Sequence, residues 1–265
     1  MSLKSISLNN YATLKEWLNE VIRCSNQKIL NLHAIVGGSH AKGVADFFSD
    51  IDLCLIGDQK SIDTLIMSVR MNSRVIIEDT DRFGHCCSVI FEGIHLDVHC
   101  ISLSVCKKAL INFNSGKDLS NSTQDFLWNL ANGIVIFSKG SDFRFDIDLS
   151  QDIVRSLLSK YLKVLTIHKL DVYLSRNDTI QQWESLLTIS KTLLNIGYLL
   201  NHELFWGYKH SQQRISSFDP RVRDVLSFLF SVKGEMDIEK SAILKDKIKT
   251  LKESIINQLE SSSHE

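Results

Sequence analysis

The residues best equipped for chemistry stand close together in this chain. Gly37-Gly38-Ser39-His40-Ala41-Lys42-Gly43 is followed a few positions later by Ser49-Asp50-Ile51-Asp52-Leu53. Two glycines and a serine at the start of a helix-compatible stretch bring backbone N–H groups and a hydroxyl to a place where an anion can be held. Two aspartates one residue apart on a strand project to the same side, because successive side chains alternate. A third acid, Asp97, sits in the otherwise apolar run Ile94 to Cys100, where a carboxylate is costly unless it is paired or bound to metal. Three such carboxylates offer hard oxygen ligands of the kind Mg²⁺ prefers. Phosphoryl or nucleotidyl transfer needs that combination of neutralised charge and an anchored leaving pyrophosphate. Asp50, Asp52 and Asp97 are therefore read as catalytic and metal-binding, and Gly37, Gly38 and Ser39 as the seat of a triphosphate. Lys42 stands between contacting a phosphate and solvating its own helix. The plainer readings are a turn capped by Asp50 and an ion pair at Asp97.

The elements that must position these groups can be read from periodicity. Leu30 to Val36 is a buried strand stopped by the glycines, and Ser39 is a plausible N-cap for a helix reaching Ala45. Asp50 to Ile56 alternates Ile51, Leu53 and Leu55 with the aspartates, so one face is apolar and the other acidic. Tyr11 to Ile22 and Ser61 to Met71 have helical period, and Arg74 to Glu78 reads as a short strand. Cys86 to Phe91 and Ile94 to Cys100 form a hairpin turned at Glu92-Gly93, with His95, Asp97 and His99 sharing the face opposite Leu96 and Val98. After residue 105 the pattern is helical, with Asn- and Ser-rich loops from Asn112 to Asn121, then a last apolar run from Gly133 to Phe137. The polar stretch Ser141 to Asp148 marks a domain boundary, giving 1–145 and 146–265. Beyond it lie long helical patterns, Ile153 to Leu165 and Ile180 to Tyr198, a helix opened by Asp219-Pro220, and a charged helix from Asp237 to Leu259 with a frayed serine tail. The fold class is α+β, a mixed sheet with helices followed by an all-α helical bundle. Trp183, Tyr198 and Trp206 are expected in the bundle core or in a cleft wall.

Thirty basic residues against thirty-one acidic ones in 265 leave no extended basic track, so a nucleic-acid partner is not expected. No apolar run has the length of a membrane span, and Met1 to Ser5 has no signal-peptide core, so a cytoplasmic protein is the default. Six irregularly spaced cysteines, two of them adjacent at Cys86 and Cys87, suit free thiols in a reducing compartment. His85, Cys86, Cys87, His95, His99 and Cys100 lack the paired spacing of a zinc finger.

Gly38-Ser39 running to Gly43, then Asp50-Ile51-Asp52, then Asp97 on a later strand, resembles the nucleotidyltransferase superfamily typified by DNA polymerase β. The whole architecture resembles the small bacterial nucleotidyltransferases, the aminoglycoside and lincosamide adenylyltransferases among them. The resemblance implies a polymerase β-like nucleotidyltransferase domain over 1–145 and a helical substrate-binding domain over 146–265. It implies Mg²⁺ on Asp50 and Asp52, with Asp97 as third ligand or as the base that deprotonates the acceptor, and Gly38 and Ser39 on the triphosphate. Leu204 to His210 is similar to an aromatic, glycine and lysine segment of related helical domains, which would let Lys209 reach a phosphate; an exposed turn is the alternative. The expected reaction moves AMP from ATP to a hydroxyl of a small molecule lying between the domains, an antibiotic being one candidate. A protein hydroxyl as acceptor, or a non-catalytic nucleotide-binding module, are the competing readings. The oligomeric state stays open, a homodimer included.

Overall fold

The computed structural model describes residues 8–25, 29, 31–46, 49–140, 145–166, 168–205, 207–209, 211–232 and 236–261. Leu30, residues 141–144 of the expected linker, Trp206 and the Ser262-Ser263 tail lie outside the described residues. The chain divides into two compact units, 1–148 and 149–265.

Among the described residues, the first unit is built on six strands: β1 (Leu32–Val36), β2 (Ile51–Gly57), β3 (Arg74–Thr80), β4 (His85–Phe91), β5 (Ile94–Ser102) and β6 (Ile134–Lys139). They lie in the order β3-β4-β5-β2-β1-β6. β2 and β5 run parallel, and every other neighbouring pair is antiparallel. Helices α1 (Leu8–Cys24) and α3 (Gln59–Asn72) bury Trp17, Leu18, Val21, Leu65 and Val69 against one set of strand residues: Ala34 and Val36, Ile51, Leu53 and Leu55, and Leu96 and Val98. Fully burying an aliphatic side chain of this size contributes about 1.5–3 kcal/mol, so this layer holds the sheet against its helices. The Trp17 indole N–H donates to Ser73 Oγ at 2.7 Å, which satisfies the polar atom of an otherwise buried ring. Alternation then forces Asp52, Cys54, Asp97 and His99 onto the opposite face.

That opposite face carries α2 (Gly38–Ala41) and α5 (Asn121–Asn132), with α4 (Leu103–Asn114) between β5 and α5 in the chain. Two expectations change here. The helix after the glycines is one turn long rather than extending to Ala45, because Gly43 at φ +71° swings the chain away. Its N-cap is Gly37, not Ser39, and no side chain caps it. The neighbouring helices do have side-chain caps: Asp58 accepts from the Ser61 N–H at 2.9 Å, and Ser102 and Ser120 cap α4 and α5. β3 runs to Thr80, longer than expected, and is an exposed edge strand.

The second unit consists of α6 (Gln151–Val164), α7 (His168–Ser175), α8 (Thr179–Leu200), α9 (Pro220–Ser231) and α10 (Ile238–Ser261), with a 3₁₀ segment at Ser211–Ser217. Tyr198 is fully buried and meets Phe218 edge-on at 5.0 Å, a contact permitted by the bare backbone of Gly197. Trp183, expected in the core or a cleft wall, is 55% exposed. One face of α8, with Trp183, Leu186 and Leu187, lines an open cavity, so its apolar periodicity serves that cavity there. Among the described residues, no helix is long and apolar enough to cross a membrane.

Candidate active site

At the end of β1 the chain is stitched to two other elements. The Gly37 N–H donates to the Asp52 carbonyl at 2.8 Å, and the Gly38 N–H donates to Asn129 Oδ1, also at 2.8 Å. Gly38 has φ +55°, and a Cβ there would overlap the Asp52 carboxylate. Glycine is required on both counts. Asn129 is in turn oriented by its own amide, which donates to the Asp125 carbonyl at 2.9 Å. The two N–H groups expected at a phosphate are thus engaged internally, and their bonds shape the turn around Asp52.

Strand register gathers the acids. Asp52 on β2 pairs with Asp97 on β5, and Asp97 pairs with Ser88 on β4, so the three side chains form one row across the sheet. The Ser88 hydroxyl donates to Asp97 Oδ1. Asp50 precedes β2, and its carboxylate, that of Asp97 and the His95 ring bring ligand atoms within 4.8 Å of one another. His95 Nδ1 lies 4.0 Å from Asp50 Oδ2.

Crowding has an electrostatic consequence. The Asp52 carboxyl is pushed up from 3.8 to about 6, by burial first and then by the Asp50 and Asp97 carboxylates, against the opposing pull of the Lys42 ammonium. Lys42 is largely buried, with Nζ 3.3 Å from Asp125 Oδ1 and over the Trp128 ring. Its charge is felt by Asp52 but does not neutralise three carboxylates. Asp50 and Asp97 supply hard carboxylate oxygens beside the His95 ring, and Asp52 adds a third carboxylate in the row, a surplus of negative charge that fits a divalent cation of the Mg²⁺ type. Ser39 gives a second sign of fit. It is buried, and its hydroxyl has no hydrogen-bond partner among the described residues. An unsatisfied buried hydroxyl costs about 1–3 kcal/mol, which an acceptor oxygen supplied by a ligand would remove.

Lys209, on the second unit, is exposed in a short loop after Gly207, which has φ +98°. The same unit holds a cavity of about 750 Å³ lined by Trp183, Leu186, Leu194, Tyr208 and Phe230, with Lys191 its one charged residue among those described. Sequence reasoning did not find Ser88, Asn129 or Asp125. A mid-strand serine and a mid-helix asparagine carry no motif; only their register opposite Asp97 and Gly38 gives them a place in the site.

Residues 18–112 match the family model described as a nucleotidyltransferase domain, a span that contains the glycine turn and all three acids. No curated protein matches the sequence significantly. Among solved structures, a nucleotidyltransferase-like protein from Exiguobacterium sibiricum is 12% identical over 92% of this chain and 74% of its own, with a TM-score of 0.46. A spectinomycin adenyltransferase, AAD(9), from Enterococcus faecialis, solved with ATP and spectinomycin, is 13% identical over 89% of this chain and 99% of its own, with a TM-score of 0.38. A cytoplasmic RNA terminal U-transferase is 12% identical over 74% of this chain and 50% of its own, with a TM-score of 0.30. At these scores the likenesses carry nothing about acceptor or nucleotide. The domain match establishes that the chain carries a nucleotidyltransferase domain over residues 18–112 and gives it the enzyme class of a nucleotidyltransferase.

Proposed function

We propose that this chain is a Mg²⁺-dependent enzyme that transfers AMP from ATP to a hydroxyl of a small-molecule acceptor. The observation that carries the reading is the row in which Asp52 pairs with Asp97, with the Gly38 turn lying against the Asp52 carboxylate and a buried, unbonded Ser39 hydroxyl beside it. When bound, the cation supplies charge neutralisation at the reacting phosphate. Asp50, Asp52 and Asp97 hold it. Asp97, fixed by the Ser88 hydroxyl, also takes the proton from the acceptor hydroxyl as its oxygen bonds to the α-phosphorus; the bond to the bridging oxygen breaks and pyrophosphate leaves. Ser39 donates to the departing polyphosphate, while Gly37 and Gly38 shape the turn that presents it. Lys42 tempers the negative charge around Asp52 from its place against Asp125 and Trp128.

In this reading the helical unit, from about residue 149, binds the acceptor, and Lys209 offers an exposed cation to a phosphate. The near-balanced charge of the chain favours a small acceptor over a nucleic acid. The cavity beside α8, apolar with one lysine and no carboxylate among its described lining residues, suits a neutral or anionic acceptor with an aromatic or aliphatic part, and suits a polycationic antibiotic poorly. Free thiols and ATP chemistry suit the cytoplasm. The test is pyrophosphate release from Mg²⁺ and each of the four nucleotides, with and without panels of hydroxylated small molecules and of proteins. Acceptor-dependent release that is greatest with ATP, and abolished in Asp50→Asn and Asp52→Asn, supports the proposal. Release only with a protein acceptor transfers it to protein modification. Nucleotide binding that survives both substitutions without any turnover overturns it.

A further inference from the structure

Two residues along the strands from the acid row lies a second row of a different chemical character. Strand register pairs Cys86 on β4 with His99 on β5, and His99 with Cys54 on β2. Alternation places all three on the same face as Ser88, Asp97 and Asp52. The turn between β3 and β4 then folds Asp81 over the row. Its Oδ1 accepts the N–H groups of Phe83 and Gly84, both at 2.8 Å, and its backbone N–H donates to the Gly84 carbonyl at 3.0 Å, so the acid is held by its own turn. The turn is itself tied down by Arg82, which donates to Asp118, Ser120, Ser122 and Thr123. In the result, one carboxylate oxygen of Asp81, Cys86 Sγ and one ring nitrogen of His99 lie within 4.8 Å of one another.

We propose that Asp81, Cys86 and His99 form a binding site for a borderline-soft divalent transition-metal ion, Zn²⁺ being the best match, with its fourth position open to water. The site is separate from the hard-oxygen acids and independent of the function proposed above. One oxygen, one sulfur and one imidazole nitrogen from three segments make a mixed set that Zn²⁺ accepts in tetrahedral geometry and Mg²⁺ does not. Bonds of about 2.0–2.3 Å to such ligands require the donor atoms to approach one another to well within the observed limit. The site is accessible, Asp81 being exposed and the other two half-buried. The Cys86 thiol is held up at about 11 by burial first and then by the Asp81 carboxylate, while a hydrogen bond from the Asp81 backbone works the other way. Metal binding therefore releases a proton from Cys86, and affinity rises with pH. A search for finger spacing misses this site because its ligands are assembled by register and a turn, not by sequence proximity.

The probe is Co²⁺, titrated under reducing conditions into full-length protein previously stripped with chelator, followed by competition with Zn²⁺. One equivalent is expected to produce a thiolate-to-cobalt charge-transfer band, together with tetrahedral d–d absorption, and Zn²⁺ is expected to displace it. Absence of the charge-transfer band on the unmodified protein overturns the proposal, and this reading needs no variant to fold. Cys86→Ser is expected to abolish the band, and His99→Asn and the exposed Asp81→Asn to weaken binding by at least about tenfold. Cys54→Ser and Asp50→Asn are expected to leave the band in place. A band that survives Cys86→Ser, or disappears with Cys54→Ser or Asp50→Asn, overturns the assignment of ligands.

Discussion

Replacing Asp52 with asparagine is expected to stabilise the metal-free protein while removing its response to divalent metal. In the fold, burial and then the Asp50 and Asp97 carboxylates raise the Asp52 carboxyl from 3.8 to about 6. Between those two values the folded chain holds a proton that the unfolded chain has released. The stabilisation from this group is complete below the lower value, falls as pH rises through the window, and is absent above the upper one. Each pKa unit is worth about 1.4 kcal/mol, so above pH 6 the ionised carboxylate disfavours the metal-free fold by about 3 kcal/mol relative to a neutral group. Asparagine has nearly the same shape, no charge, and the same backbone carbonyl for the Gly37 N–H.

The assay is urea unfolding of both proteins in chelator, from about pH 4 to about pH 8, read as the difference between them, so that titration of carboxylates outside the Asp50, Asp52 and Asp97 group cancels. The variant is expected to match the parent near pH 4 and to exceed it by about 2–3 kcal/mol near pH 8. Adding Mg²⁺ at about a hundred times its dissociation constant is expected to raise the parent by about 2.7 kcal/mol and the variant hardly at all. At sub-saturating Mg²⁺, activity of the parent should fall as pH drops through about 6, where protons compete with metal for the free Asp52 carboxylate, and excess Mg²⁺ should move that fall to lower pH. A variant no more stable than the parent near pH 8, or a difference that does not change with pH, would refute the claim that three carboxylates crowd this point with only partial compensation from Lys42.

Three further substitutions separate the turn's structural work from its proposed ligand work. Ser39→Ala removes an unbonded buried hydroxyl, so unfolding free energy is expected to stay level or rise slightly, while nucleotide affinity measured by calorimetry falls about 10- to 100-fold for a lost hydrogen bond to a charged ligand. Gly38→Ala combines a strained left-handed backbone with a Cβ driven into the Asp52 carboxylate; a loss of about 2 kcal/mol or more in stability and a loss of Mg²⁺ binding are expected in the same titrations. Asn129→Ala leaves the Gly38 N–H without its acceptor, and a loss of about 1–3 kcal/mol in urea unfolding is expected, together with faster amide exchange at Gly38.

Much of the first unit was legible because its signals are local. Ile51, Leu53 and Leu55 alternate with their polar neighbours, and the turn at Glu92 and Gly93, with φ of +47° and +82°, closes the hairpin where the sequence places it. The turn at Gly37 was only half legible. Serine is a favoured N-cap, so Ser39 reads as one, yet the chain bends two residues earlier because Gly37 and Gly38 bond to Asp52 and Asn129. The partner that decides the matter is 91 residues away from Gly38, on α5, where an asparagine reads only as an indifferent helix residue. Of the two places expected for Trp183, the core and a cleft wall, the wall is where it stands, since helical periodicity reports an apolar face but not what covers it.

The two rows of polar side chains reduce these cases to one cause. β2 contributes Asp52 and Cys54, β5 contributes Asp97 and His99, and β4 contributes Ser88 and Cys86; pairing alone sorts them into an oxygen row and a sulfur-and-imidazole row. A slip of one residue in any strand would turn its polar set into the core. What prevents the slip is the other face, where Leu53, Leu55, Val89, Leu96 and Val98 are packed against α1 and α3 and cannot be exchanged for carboxylates without a large desolvation penalty. The placement of the acids is therefore dictated by residues that never touch them. The apolar alternation in three short strands carries that information, and a constellation with no motif of its own can be written into the sequence in this way.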